Sequence, residues 1–174
     1  MKKYTGYDLV LAGLFMALAL VFPLLFHAVG LGSAFLPMFF PIMAAGFLVA
    51  LPAALVVGVM SPLVSAFLTG MPPFFPPLAF IMMAEGLVLT LVPALLYRQL
   101  KINAWISAII AMLLDRLVML AAILLLSRML DLPEGVLTMA SLLKGLPGTI
   151  LIPLVIPSLV KKMETIVRLA HMSE

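Results

Sequence analysis

The sequence has no cysteine and very little charge. Without cysteine there is no disulfide, no thiolate metal site and no Cys nucleophile. Asp, Glu, Lys and Arg make up 10% of the 174 residues, and hydrophobic residues 66%. A soluble domain carries about 25% charge and about 45–50% apolar residues. The net charge is only +3, from ten Lys and Arg against seven Asp and Glu, so the placement of the charges says more than their sum. From Leu9 to Ala84, 76 consecutive residues contain no Asp, Glu, Lys or Arg. As a single helix that stretch would run roughly 114 Å, against a bilayer core of roughly 30 Å. The chain therefore crosses a membrane several times. A soluble enzyme, a nucleic-acid module, a disordered tail and a single-anchor protein are excluded. Catalytic signatures are missing too. There is no Gly-rich phosphate loop with Lys, no His-Glu-x-x-His and no Gly-x-Ser-x-Gly. The two histidines, His27 and His171, lie far apart in the sequence. These patterns predict a non-enzymatic chain with no metal and no cofactor.

At about 20 residues per pass, the length predicts one all-α membrane domain over 1–174, with six transmembrane helices, short loops and no extramembrane domain. Met1-Lys2-Lys3 is basic, but the apolar run behind it is too long for a cleavable leader and no Ala-x-Ala site ends it. It reads as a first span over about 7–29. Gly30-Leu31-Gly32-Ser33 breaks the pattern, and a second span covers about 37–51. Pro52 marks a boundary with no polar residue, followed by a third span over about 53–69. The run from Gly70 to Pro77 holds four prolines and forms a clear break. A fourth span follows over about 78–97, a fifth over about 103–126 and a sixth over about 142–160. The loop between the last two, 127–141, holds Arg128, Asp131, Pro133 and Glu134.

Six passes put both termini on one side. That side carries Lys2, Lys3, Arg98, Lys101, Lys161, Lys162 and Arg168, and the opposite side Arg128 and Lys144. The excess predicts both termini in the cytoplasm. Tyr4, Tyr7, Tyr97 and Trp105 all fall at that edge, as an interfacial aromatic belt does. A cell membrane, crossed several times, is the expected location. No long-period repeat suggests an inverted-repeat transporter.

Ionisable side chains at membrane depth are functional candidates, because burying a charge there costs at least about 2.5–3.5 kcal/mol. Glu85 in the fourth span and Asp115 and Arg116 in the fifth qualify. Glu85 and Arg116 are expected at similar depth on antiparallel neighbours. They either pin two helices as an ion pair or face a polar ligand, and a proton relay is a third role. Asp115 and Arg116 are sequence neighbours, about 100° apart on a helix, so the two are not expected to face one spot. Eight of the eleven phenylalanines, Phe22, Phe26, Phe35, Phe39, Phe40, Phe74, Phe75 and Phe80, fall at outer span ends and in outer loops. They either face lipid or wall an outward-opening pocket, since ligand pockets are mostly apolar with a few placed polar groups. Such a pocket suits a flat heteroaromatic compound with a polar arm. Lys144 either joins it or snorkels to the interface, and His27 suits an interfacial or capping role. In the first span, Gly13 and Ala17 form a small-xxx-small pair, which lets another helix approach closely. That helix is either within this bundle or in a separate membrane subunit.

The run Phe35-Leu36-Pro37-Met38-Phe39-Phe40-Pro41, then Ala45-Gly46-Phe47, Leu68-Thr69-Gly70-Met71-Pro72-Pro73 and Ala84-Glu85-Gly86-Leu87, resembles the substrate-binding S components of energy-coupling factor (ECF) vitamin transporters. Tyr97-Arg98, Asp115-Arg116-Leu117-Val118 and Lys144-Gly145-Leu146-Pro147-Gly148 resemble that family's runs at the end of helix four, in helix five and at the start of helix six. The resemblance implies an S component of an ATP-binding-cassette (ABC) importer. It implies capture of one vitamin or vitamin precursor from outside and delivery through a transmembrane coupling subunit and two cytoplasmic ATPases. It implies docking on the coupling subunit through Gly13 and Ala17, and a ligand site from Phe35, Phe39, Phe40, Phe74, Phe75, Glu85, Arg116 and Lys144. Three positions depart from the pattern. Phe39 stands where relatives often carry His, Asp115 replaces a Gly, and the turn between spans two and three lacks a basic residue. The runner-up reading is a stand-alone proton-coupled transporter using Glu85 and Asp115. A non-transport assembly factor in the membrane is the third.

Overall fold

In a bilayer no water is present to satisfy backbone N–H and C=O groups, so a chain this apolar must satisfy them within helices. The computed structural model describes residues 6–75, 77–129 and 143–172, and these residues contain helices and no strand. The helices are α1 (Gly6–Ala28), α2 (Gly32–Phe35), α3 (Phe39–Leu48), α4 (Leu51–Thr69), α5 (Leu78–Pro93), α6 (Ala104–Met129) and α7 (Leu146–Met172). A π-helical turn, Ala94–Gln99, prolongs α5. Five of these are long and apolar enough to cross a membrane: α1, α4, α5 with its π turn, α6 and α7. The first residues, Pro76 and the polar loop that follows α6, with Asp131, Pro133 and Glu134, lie outside the described residues.

The second pass differs in form from a plain 37–51 helix. It consists of the single turn α2 and the ten-residue α3. Between them Leu36 has left-handed backbone angles (φ 51°, ψ 51°), which end α2. Pro37 follows it, and a residue before proline is disfavoured in the right-handed helical region. Ten helical residues rise only about 15 Å, so α3 is half a crossing. It is also the most enclosed helix, with Phe39 and every residue from Pro41 to Phe47 buried.

The boundary with no polar residue of its own borrows its partners. Val49 and Ala50 are extended, and Pro52 sits in the first turn of α4, where its missing N–H is not needed. The Ala50 N–H donates to Asp8 Oδ1 of α1 at 2.9 Å, and the Arg98 guanidinium donates to the Val49 carbonyl. The π turn after Pro93 holds Arg98 and also Tyr97. The Tyr97 hydroxyl donates to Glu164 Oε2 of α7 at 2.7 Å, and its ring meets Phe47 edge-on with centroids 5.3 Å apart. α7 runs on past Lys161-Lys162 to Met172 instead of stopping at the basic pair. Lysine is a good helix former, so the pair marks the water boundary and not the helix end.

α5 is the hub and touches α3, α4 and α6. Its crossing with α4 is backbone to backbone. A Cβ on Gly58 would strike the Gly86 carbonyl, and one on Gly86 would strike the Gly58 carbonyl. Lipid tails are as apolar as leucine, so helices associate here by close packing of small residues and not by burial from water. Thr90 and Ser61 keep the crossing dry by donating to their own helix carbonyls, Gly86 at 2.9 Å and Val57 at 2.6 Å. Phe39, Ile42, Met43, Phe47, Val57, Leu89, Met112, Ile152 and Ile156 fill the core between α3 and its neighbours.

Overpacking a tight contact costs about 1–3 kcal/mol or more. Gly86→Val should therefore lower the thermal midpoint of the detergent-purified protein clearly. Gly13→Val should change it little, because no described residue lies within 4 Å of the Gly13 Cβ position.

Candidate functional site

Glu85 lies two turns into α5 and is 3% exposed, and Asp115 lies midway along α6 and is 0% exposed. Neither carboxylate is tolerable alone at that depth. The next residue after Asp115 supplies the partner for both. Arg116 folds back along α6, so that Nε and NH2 donate to Asp115 Oδ2 at 2.8 and 2.5 Å. The same NH2 donates to Glu85 Oε1 at 3.3 Å. The expected meeting of Glu85 and Arg116 takes place. The expected separation of Asp115 from Arg116 does not, because the reach of the arginine side chain overrides the 100° between their Cα positions. One guanidinium thus links α5 to α6 through two buried carboxylates. Among the described residues one buried acceptor is left over: Asp115 Oδ1 has no hydrogen-bond partner there.

The start of α7 closes over this triad. A Cβ on Gly145 would sit 3.3 Å from Arg116 NH1 and 3.5 Å from both Leu36 methyls. Three residues on, a Cβ on Gly148 would press on the Phe35 carbonyl and on Leu36. The two glycines let the first turn of α7 lie directly on Arg116 and on the link between α2 and α3. The left-handed backbone at Leu36 costs about 1–2 kcal/mol for an L-residue and turns its side chain into that contact. Gly145, Gly148 and Leu36 escaped the sequence reading as site residues. The spacing of two small residues around Pro147, and a leucine before proline, were the signals available.

The other candidates divide. Phe35 is half-buried, its ring 6.0 Å from Phe26. Phe39 is fully in the core, and Phe40 packs on that core. Phe74 belongs to a separate aromatic row, 5.0 Å from Phe67 and 6.0 Å from Phe80. Phe75 is 74% exposed. Among the described residues no ring pair joins the two aromatic groups. Lys144 is exposed and makes no ion pair among the described residues. The exposed His27 lies over Gly32, where a Cβ would overlap its ring. On α1, Leu11, Ala12, Phe15 and Ala19 turn inward, while Gly13 and Ala17 face away from the bundle.

The model of the ECF transporter substrate-specific component family matches residues 7–163, which is nearly the whole membrane region. The chain belongs to this family. No curated protein and no solved structure matches it. As an S component it is an integral membrane, substrate-binding transporter subunit that works within a membrane-embedded complex and takes a small molecule. Among the described residues the bundle buries one charged cluster in a largely apolar interior, and ligand pockets in general combine apolar walls with a few placed polar groups.

Removing one partner of a buried ion pair costs about 3–5 kcal/mol, while replacing the whole group by apolar side chains is often neutral. Arg116→Met should therefore destabilise the detergent-purified protein by about that amount in an unfolding titration. The triple change Glu85→Met, Asp115→Leu, Arg116→Met should recover most of the loss.

Proposed function

We propose that this S component captures a vitamin or vitamin precursor, a small heteroaromatic compound, from outside a bacterial cytoplasmic membrane. It delivers the compound through a transmembrane coupling subunit and two cytoplasmic ATPases, as the specificity subunit of an ABC-type importer. The observation that carries the reading is the Glu85–Arg116–Asp115 triad beneath the first turn of α7. It is a charged anchor in a bundle whose other buried polar side chains, among the described residues, are only serine and threonine hydroxyls. Phe35 is the aromatic candidate tied to the same neighbourhood, through Gly148 and Leu36. On this reading Glu85 and Arg116 orient the polar arm of the ligand, and Phe35, Phe39 and Phe40 supply the apolar wall. Lys144, Phe74 and Phe75 belong to the outer rim. The charge distribution supports cytoplasmic termini and an outward-facing rim.

Gly13 and Ala17, on the outward side of α1, supply the docking stripe for the coupling subunit. A small-residue surface lets a partner helix approach its backbone. Ala17→Trp should leave solute binding by the purified chain intact and abolish uptake by cells that carry the full complex. Loss of binding in that variant would remove the docking role.

Mass spectrometry of the small molecules that co-purify with the chain tests the binding reading and should return one heteroaromatic species. Reconstitution tests the energy source. The chain alone in liposomes should not accumulate that compound when given a proton gradient, whereas the complete complex should accumulate it with ATP. Proton-driven accumulation by the chain alone would replace this reading with a stand-alone transporter.

A further inference from the structure

With all three groups ionised, the buried triad is not neutral. Two carboxylates, with 4% and 0% of their side chains exposed, face one guanidinium with 16% exposed. No fourth formal charge in the described residues balances it. Beyond Asp8, helices α1 to α4 carry no formal charge at all. From α4 the buried polar side chains are Ser61 and Ser65, and both donate to backbone carbonyls, of Val57 and Met71. The other charge prolonging α5, Arg98, is bound to the Val49 carbonyl. Lys144, one residue before the Gly145 that covers Arg116, is exposed and pairs with neither carboxylate. Asp115 Oδ1, on the carboxyl whose other oxygen holds Arg116, is fully buried with no donor in reach among the described residues.

An isolated charge in an apolar interior is so costly that the group neutralises instead. Two carboxylates in one site then titrate as a pair. We propose that the Glu85–Arg116–Asp115 triad is a proton-binding site: it retains one proton, shared by Glu85 and Asp115, and is electrically neutral in the membrane. The proton is held and not relayed, since the described residues of α5 and α6 offer no further carboxylate or histidine leading from the triad to either surface. The inference does not depend on which solute the protein carries.

The test is infrared difference spectroscopy of the full chain in lipid nanodiscs, without solute, at neutral pH, reading the C=O stretch that only a protonated carboxyl shows. The wild type should show one such band, shifted by carbonyl-13C labelling of Asp or Glu. Glu85→Gln and Asp115→Asn should each abolish it, because Arg116 then balances the single remaining carboxylate. Arg116→Gln should enlarge it about two-fold, because neither carboxylate then has a counter-charge. No protonated band in the wild type overturns the proposal, and so does a band that survives in either single amide variant. The wild-type measurement with labelling stands by itself if a variant fails to fold. The reading needs no ligand, so its failure and a failure of the transport reading are separate results.

Discussion

Arg116 is the interaction on which the polar half of this membrane protein depends. The bilayer interior offers no water to two carboxylates, and the side chain adjacent to one of them bridges to the other. Without it, α5 and α6 would bring like charges together at membrane depth. With it, they share a buried three-group cluster, and the first turn of α7 can lie over the guanidinium. The start of α7 and, through Leu36, the link between α2 and α3 meet at that guanidinium.

The apolar half rests on the same absence of water, with the opposite consequence. Hydrophobicity does not drive one lipid-solvated helix onto another, so contact must come from shape. The α4–α5 crossing shows this most clearly, because Gly58 and Gly86 bring two backbones into contact. Hydroxyl groups at the crossing turn back on their own helices, so they add no polar demand. α1 has a small-residue surface as well, but it points away from the bundle. That difference separates a packing device from a surface available to another subunit.

The two ends of the bundle handle their breaks differently. At the end that holds the π turn, an apolar junction at Val49–Ala50 takes its hydrogen bonds from Asp8 and Arg98, residues 42 and 49 positions away. The Tyr97–Glu164 bond ties α7 to the same end. At the other end the chain uses left-handed backbone at Leu36 and the glycines Gly145 and Gly148 at the start of α7, with side chains that are mostly aromatic or aliphatic. One end is thus polar and cross-linked, and the other is built mainly from apolar side chains and close backbone contacts.

Much of this was legible in the residues. A stretch without charge from Leu9 to Ala84 can only be solvated by lipid, so the membrane class and the helical fold follow from composition alone. Proline and glycine clusters mark most helix ends, because they act on the local backbone. Glu85, Asp115 and Arg116 stand out because a charge at that depth demands a partner. What the sequence could not supply was the partnership itself. Helical geometry sets Asp115 and Arg116 about 100° apart, and only the reach of the arginine side chain brings them together. Nor does position in the sequence say that the Phe35 ring meets Phe26 while the Phe74 ring meets Phe67 and Phe80. The contact of Gly145 and Gly148 with Arg116, Leu36 and Phe35 likewise exists only once α7 has packed. Charge, composition and turn chemistry are properties of the residues along the chain. Which side chain satisfies which buried atom depends on reach and crossing geometry, and only the tertiary structure decides those.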